Sequence, residues 1–484
     1  MDDRASYTYD PVANEASVNL HNGRMEEGQK WRQYAIAAIA NIAISCTGYS
    51  MGWTSPITPK LNGDNSTDSP LPAPIGSNEE SWMGSLLPVG AIFGPFIGGF
   101  VASHFGRKYG LLSCAIPLLV GWVLIAAASN MAFIYSGRIF WGIAVGMVFT
   151  ISPMYCAEIA TDDVRGALGS FLQAFITIGF LIVYAVGPFV SYGVVAYLGI
   201  ALVILFMVTF FFMPESPIYY LSKNNKESAT QALMTIRGLS HSGVQSEINK
   251  MAVDVEATLS NSAKISDIWA TRGNIKAMYV SCALVFFQQF SGINAVLFYM
   301  DAIFTAAGSN LEPAIATIII GCVQLGASFV TPFVVDRLGR RLLLLISSCG
   351  TCIALTLLGM FFILRDDPIA EKIGFIPILS LVLFMVTYCI GLGPLPWAVM
   401  SELFPVEVKA VAAPIATAFC WFLSFLVTKF FNMIPSNVAF FIFAVSCLIA
   451  FFFTLTLVPE TKGKSFQEIQ DMLNGRTRSE KEKS

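Results

Sequence analysis

The sequence predicts an all-α membrane protein: twelve transmembrane helices in two pseudo-symmetric six-helix bundles, with a cytosolic helical insert between them. Three observations predict it. Of the 484 residues, 55% are apolar and only 13% charged, about half the charged share of a soluble domain. Twelve apolar stretches reach the ~20 residues that a helix needs to cross a bilayer. The chain also repeats itself: Gly106-Arg107-Lys108 returns as Gly339-Arg340-Arg341 at an offset of 233, Glu158 with Arg165 returns as Glu402 with Lys409 at 244, and Pro214-Glu215-Ser216 returns as Pro459-Glu460-Thr461 at 245. Three pairs in one order at nearly one displacement describe a duplicated six-helix unit.

In chain order, residues 1–32 are a cytosolic tail. Asp2, Asp3, Arg4, Glu26 and Glu27 stand there without an apolar run, so no cleavable leader is expected and the first span acts as the anchor. The first bundle, 33–213, holds spans at about 33–54, 81–103, 111–129, 133–157, 168–190 and 194–213. The insert, 214–274, carries Val244, Ile248, Met251, Val255 and Leu259 at helical spacing among Gln245, Glu247, Lys250 and Asp254. That pattern is a short amphipathic helix, read either as a latch across the cytosolic ends of both bundles or as a linker. The second bundle, 275–457, holds spans at about 275–300, 313–335, 342–364, 374–401, 410–431 and 437–457, and 458–484 is a second cytosolic tail.

Charge sets the orientation. With the N-terminus in the cytosol, the tails and the loops on that side collect 24 of the 29 Lys and Arg residues, against Lys60, Arg365 and Lys372 on the other side. This bias puts both termini in the cytosol, with the plasma membrane as the expected location. Arg138 and Lys429 lie inside spans near their outer ends. Asn65-Ser66-Thr67, the one Asn-x-Ser/Thr sequon, falls in the first outer loop, which makes Asn65 the expected glycan acceptor. The ten cysteines lie within or beside spans and read as packing residues. His21, His104 and His241 all avoid mid-span, so no metal or other cofactor is expected. A net charge of −3 gives no footing for nucleic acid.

Parallel six-helix halves that rock about a site at their interface are the design of the major facilitator transporters. The residues support a narrower resemblance. Asp336-Arg337 before Gly339-Arg340-Arg341, Pro153-x-Tyr155-x-x-Glu158 with Arg165-Gly166, Pro214-Glu215-Ser216-Pro217, Gln288-Gln289-Phe290-Ser291-Gly292-Ile293-Asn294 and Pro459-Glu460-Thr461-Lys462-Gly463 together resemble the sugar porter family from about residue 35 to 470. Trp53-Thr54-Ser55-Pro56, Gly137-Arg138 and Thr428-Lys429 look most like the members that pass trehalose by facilitated diffusion.

Buried amides need helix partners or a polar ligand. Gln173 in span 5, Gln288, Gln289 and Asn294 in span 7, and Gln324 in span 8 are such amides. A carboxamide both donates and accepts, which suits sugar hydroxyls, and these five are read as a substrate site, with interhelical glue as the plainer alternative. On an unbroken helix Gln288 and Asn294 would point apart, so Ser291-Gly292 is expected to unwind and bring both to one cavity. Gly391-x-Gly393-Pro394-Leu395-Pro396 predicts a hinge in span 10. Trp397 just beyond can lay its indole on the C–H face of a pyranose, and the resemblance places it beside the sugar. Cys389 and Ser424 stand where glucose-type members would be expected to carry an acid and an Asn, which leaves room for another sugar.

Arg107, Glu158, Arg165, Arg337, Arg340, Glu402 and Lys409 at the cytosolic span ends are expected to pair as a gate that closes that side. The implied function is a facilitative carrier of a small neutral sugar, trehalose first and hexose next, needing lipid and no obligate protein partner. A proton-coupled symporter would want an acid in mid-span, but span 1 reads Cys46-Thr47-Gly48-Tyr49-Ser50. The short tail after Pro459 speaks against a non-transporting sensor, and the lack of a mid-span acid or base speaks against an enzyme.

Overall fold

The computed structural model describes residues 28–63, 68–260, 264–308, 311–370, 372–464 and 466–474. Asn65 and the acids of the first tail lie outside them. Every regular element among the described residues is a helix, and twelve are long and apolar enough to span a membrane.

Nine spans run through as single helices and three are broken. Span 1 is Lys30–Gly52 followed by Thr54–Asn62. Trp53 at the joint is fully buried and meets Trp141 edge-on at 5.6 Å, and Trp141 in turn packs 4.1 Å from Trp122. Span 7 is Arg272–Phe290 followed by Ile293–Ala307, and span 10 is Ile376–Ile390 followed by Leu395–Leu403. The last two breaks fall where Ser291-Gly292 and the Gly391–Pro396 stretch predict them.

Small residues let helix backbones close up where no water-driven force pulls them together. Spans 2 and 4 meet this way, since a Cβ on Gly94 would stand 2.5 Å from the Cα of Gly146. Between the bundles, span 2 lies along span 11 and span 5 along span 8. The second pieces of spans 1 and 7 pack together at the end opposite the Gly-Arg motifs, where the Asp301 amide donates to Ser55 Oγ at 3.1 Å. At the Gly-Arg end, hereafter the basic end, a cleft opens beside spans 1, 4 and 5, lined by Asn41, Pro153, Ala157, Arg165 and Gly169. No pairing comparable to that of spans 1 and 7 joins spans 4 and 10 there among the described residues. Among the described residues the two bundles are therefore joined more closely at the opposite end than at the basic one.

The insert corrects one expectation. His241–Ser260 is a helix, but Val244 and Ile248 are buried with Leu221, Ala229 and Leu233 of the two short helices before it. Its apolar stripe is used locally, and Leu259 is left exposed. A latch across both bundles is thus not what this helix forms. Arg237 docks the unit on the first bundle: it donates to the Ile159 carbonyl at 2.7 Å and pairs with Glu247 at 2.7 Å. The 3-10 turn Ile265–Trp269 and the helix Phe466–Asn474 sit on the second bundle instead. Gln470 holds the latter by donating to the Leu403 carbonyl at 2.6 Å.

Candidate functional site

The site grows from the break in span 7. Gly292 takes a left-handed conformation, φ +79°, which a side chain would strain. A Cβ there would also lie 2.6 Å from Cε2 of Phe443. The reversal brings Asn294 back over Gln289: Asn294 Nδ2 donates to Gln289 Oε1 at 2.6 Å and to Ser424 Oγ at 2.8 Å, while Gln289 Nε2 reaches Cys420 Sγ at 3.0 Å. All of these residues are buried. Spans 7 and 11 thus share one amide, hydroxyl and thiol network, and the side-chain oxygen of Asn294, Oδ1, accepts no hydrogen bond within the described residues.

Gln288 departs from its expected place. Its Nε2 donates to the Leu392 and Gly393 carbonyls at 3.0 and 2.6 Å, the acceptors that the span 10 break sets free. It is the tie between the two broken helices rather than a mate of Asn294. On the other side of that break Ser347 Oγ accepts from the Leu392 amide at 2.9 Å. Trp397 follows in the next turn, half-buried and without a ring contact among the described residues. Gln173 is half-buried and its amide has no partner among the described residues. Gln324 is buried with an unpaired Oε1. Spans 5 and 8 meet one turn from these two amides, where Thr177 and Ser328 hydroxyls lie 3.3 Å apart. Gln173, Asn294 and Gln324 therefore keep an unfilled hydrogen-bonding group and Trp397 an open ring, whereas both amide groups of Gln289 are engaged within the network and Gln288 is spent on the span 10 break.

For this site sequence reasoning named only Ser424 on span 11, as a position bearing on sugar preference, and missed Cys420 and Trp421 beside it. Cys420, Ser424 and Trp421, which meets Phe149 of the first bundle at 6.0 Å, all come from one face of the span. Their signal was the spacing 420, 421, 424, a helical stripe of residues that are small or polar around one ring.

The charged ends form two matching knots. Arg107 binds Glu158 through Nε and Nη2, at 2.8 Å for the shortest contact, and Ser216 Oγ donates to the same carboxylate. The Arg107 and Lys108 amides donate to Glu215 at 2.9 and 3.0 Å. In the second half Arg340 pairs with Glu402 at 3.0 Å, and the Arg340 and Arg341 amides donate to Glu460 at 3.0 and 3.1 Å. Glu215 and Glu460 complete the knots and were absent from the expected gate. Burial pushes the Glu215 carboxyl up despite its backbone donors. Burial acts the same way on Glu460, but the amides of Lys462, Arg340 and Arg341 outweigh it and hold that carboxyl down.

Three gate expectations are corrected. Arg165 is exposed and pairs with Asp162 one turn before it, at 2.9 Å, because an adjacent acid costs less reach than Glu158. Arg337 is exposed, and among the described residues its carbonyl is engaged by Lys462 Nζ at 2.6 Å while its guanidinium makes no ion pair. Lys409 makes no ion pair among the described residues, although it feels the charge of Glu402 against the burial that pushes its own value down. Both knots also close within one bundle, so neither joins the two bundles across the basic end. The glycine turn before each arginine starts the next helix beside its own bundle, so the arginine finds its acid there.

The profile of the "Sugar (and other) transporter" family matches residues 36–473. Among curated relatives, "Facilitated trehalose transporter Tret1" of Apis mellifera ligustica is 35% identical over 469 residues, covering 95% of this chain and 92% of that one. The protein of the same name from Anopheles gambiae is 36% identical over 457 residues, 93% of this chain but 57% of its own length. The chain thus spans little more than half of some relatives and nearly all of others. Among solved structures, the proton:xylose symporter XylE bound to 6-bromo-6-deoxy-D-glucose aligns with a TM-score of 0.75 at 24% identity, over 91% of this chain and 99% of that one. The inward open conformation of XylE from E. coli aligns with the same score, identity and coverage. These two bear on the fold, which is that of the major facilitator superfamily. With the profile spanning nearly the whole chain, this protein belongs to the sugar (and other) transporter family.

Proposed function

We propose that the chain is a facilitative carrier that equilibrates a neutral sugar, trehalose in first place, across the plasma membrane by alternating access. The basic end is cytosolic with both termini, and Asn65 on the outer side is the glycan acceptor. The observation that carries the reading is the Gln289–Asn294–Ser424–Cys420 network at the span 7 break. It supplies neutral donors and acceptors where two broken helices and the bundle interface meet, which is chemistry for hydroxyls rather than for ions. Gln173, Gln324 and Trp397 complete the lining from the other walls. Relatives named for facilitated trehalose transport support the choice of sugar.

Uptake of labelled trehalose and glucose by liposomes carrying the purified protein tests this. Trehalose should enter to equal concentration on both sides, indifferent to a proton ionophore. Uptake of glucose alone would move the substrate to the hexoses. One observation favours proton coupling as a second reading: Asp301 is only 7% exposed at the junction of spans 1 and 7. Accumulation above the outside concentration that collapses with the proton gradient would establish that reading instead.

A further inference from the structure

Lys429 ends span 11 on the side opposite the basic end and is 9% exposed. No carboxylate pairs with it among the described residues. Its partners all belong to the start of span 2 in the other bundle: Nζ stands 4.0 Å above the Trp82 ring and 3.4 Å from Asn78 Oδ1, and its carbonyl accepts from Ser81 Oγ. The Trp82 ring also meets Phe425, one turn earlier in span 11. The neighbouring Thr428 carbonyl accepts from the Tyr299 hydroxyl at 3.2 Å. Tyr299 sits where span 7 leaves helical geometry, φ −119° and ψ 20°, and its ring is seated against Gly84 of span 2, where a Cβ would lie 2.7 Å from Cζ. Two adjacent residues of span 11 therefore fasten spans 2, 7 and 11 together at one level.

A cation over an indole gains most when water is excluded from it. The setting here is intermediate, with Lys429 9% and Trp82 36% exposed, and both partners of the ammonium among the described residues lie across the line along which the bundles part. We propose that Lys429 on Trp82 is the clamp that holds the outer end shut while the cytosolic end is open, and that each cycle must break it. Lys429 is a positioning residue in this scheme: it acts on the balance between the two states and does not touch sugar. The inference rests on the alternating-access reading above.

The test places a thiol at the gate by Ser55→Cys, since Ser55 is 1% exposed beneath the Asp301 amide. Labelling by a membrane-impermeant thiol reagent from outside, without sugar, reports how often the outer end opens. Lys429→Met keeps length and loses charge, and Trp82→Leu removes the ring from the other bundle, so each checks the other should one fold poorly. Both should raise the labelling rate about three- to tenfold, between what an exposed and a fully desolvated cation–π contact supply, whereas Lys429→Arg should stay near the parent. Equal rates in the parent, Lys429→Met and Trp82→Leu would overturn the clamp, as would an arginine variant that behaves like methionine. Labelling needs no transported sugar, so a parent that labels but takes up nothing would count against the carrier reading and leave the clamp to be judged on the rates.

Discussion

Gly292→Ala is the sharpest single perturbation of the site, because the structure separates its cost into two parts. The left-handed backbone, φ +79°, costs an alanine about 1–2 kcal/mol. The new methyl would stand 2.6 Å from Cε2 and 2.9 Å from Cγ of Phe443, overlap that typically costs another ~1–3 kcal/mol. Together these remove about 2–5 kcal/mol, a large share of the ~5–15 kcal/mol that holds a typical fold. The purified variant should melt roughly 2–5 °C below the parent, and its uptake should fall because Asn294 no longer returns over Gln289. Phe443→Ala alone costs about 3–5 kcal/mol through its cavity. The double variant should nevertheless lose less than the sum of the singles, since the overlap has gone and only the backbone strain remains. Parent-like melting and uptake in Gly292→Ala would refute the argument, and strict additivity with Phe443→Ala would refute the part that rests on the ring.

Asn294→Ala and Gln289→Ala should raise the KM for trehalose about three- to tenfold each, the worth of one neutral hydrogen bond, with near-parental melting; lowered melting at unchanged KM would show that the pair only joins helices. The two Pro-Glu knots should differ although they are repeats. Glu460 is held low by backbone donors despite its burial, so its ionised form favours the fold above its ordinary value of 4.5, and that contribution is lost as pH falls. Glu215 is pushed up by burial, so its charge works against the fold at neutral pH and Glu215→Gln should be the milder change. Melting at pH 7 should therefore drop more for Glu460→Gln than for Glu215→Gln, with the gap narrowing toward pH 4.5 and below; equal drops at both pH values would count against this assignment.

The spans and two of the three breaks were legible because their causes are local: apolar length for the spans, and Ser291-Gly292 or Gly391 through Pro396 for the interruptions. The break at Trp53 was not, because it depends on packing against Trp141, 88 positions away. The amides were visible as costly residues in an apolar setting, but their partners were not. Asn294 turns to Gln289 and Ser424, and Gln288 to the carbonyls of Leu392 and Gly393, contacts that only the folded bundle creates. Repeated motifs showed which charges matter at the basic end. They could not show that Arg165 would prefer the nearby Asp162, or that each knot would stay inside its own half.

That self-containment reaches back to biosynthesis. When the first six spans have left the ribosome, Arg107 already has Glu158 and Glu215 within the emerged chain, and buried Arg138 has the carbonyls of Ser50 and Met83 at 2.9 and 2.8 Å. Neither arginine has to wait in lipid for a mate that is still untranslated. The early product can settle into its bundle while the later one is being threaded into the membrane, which spares it the exposed intermediate on which multi-part chains commonly misassemble.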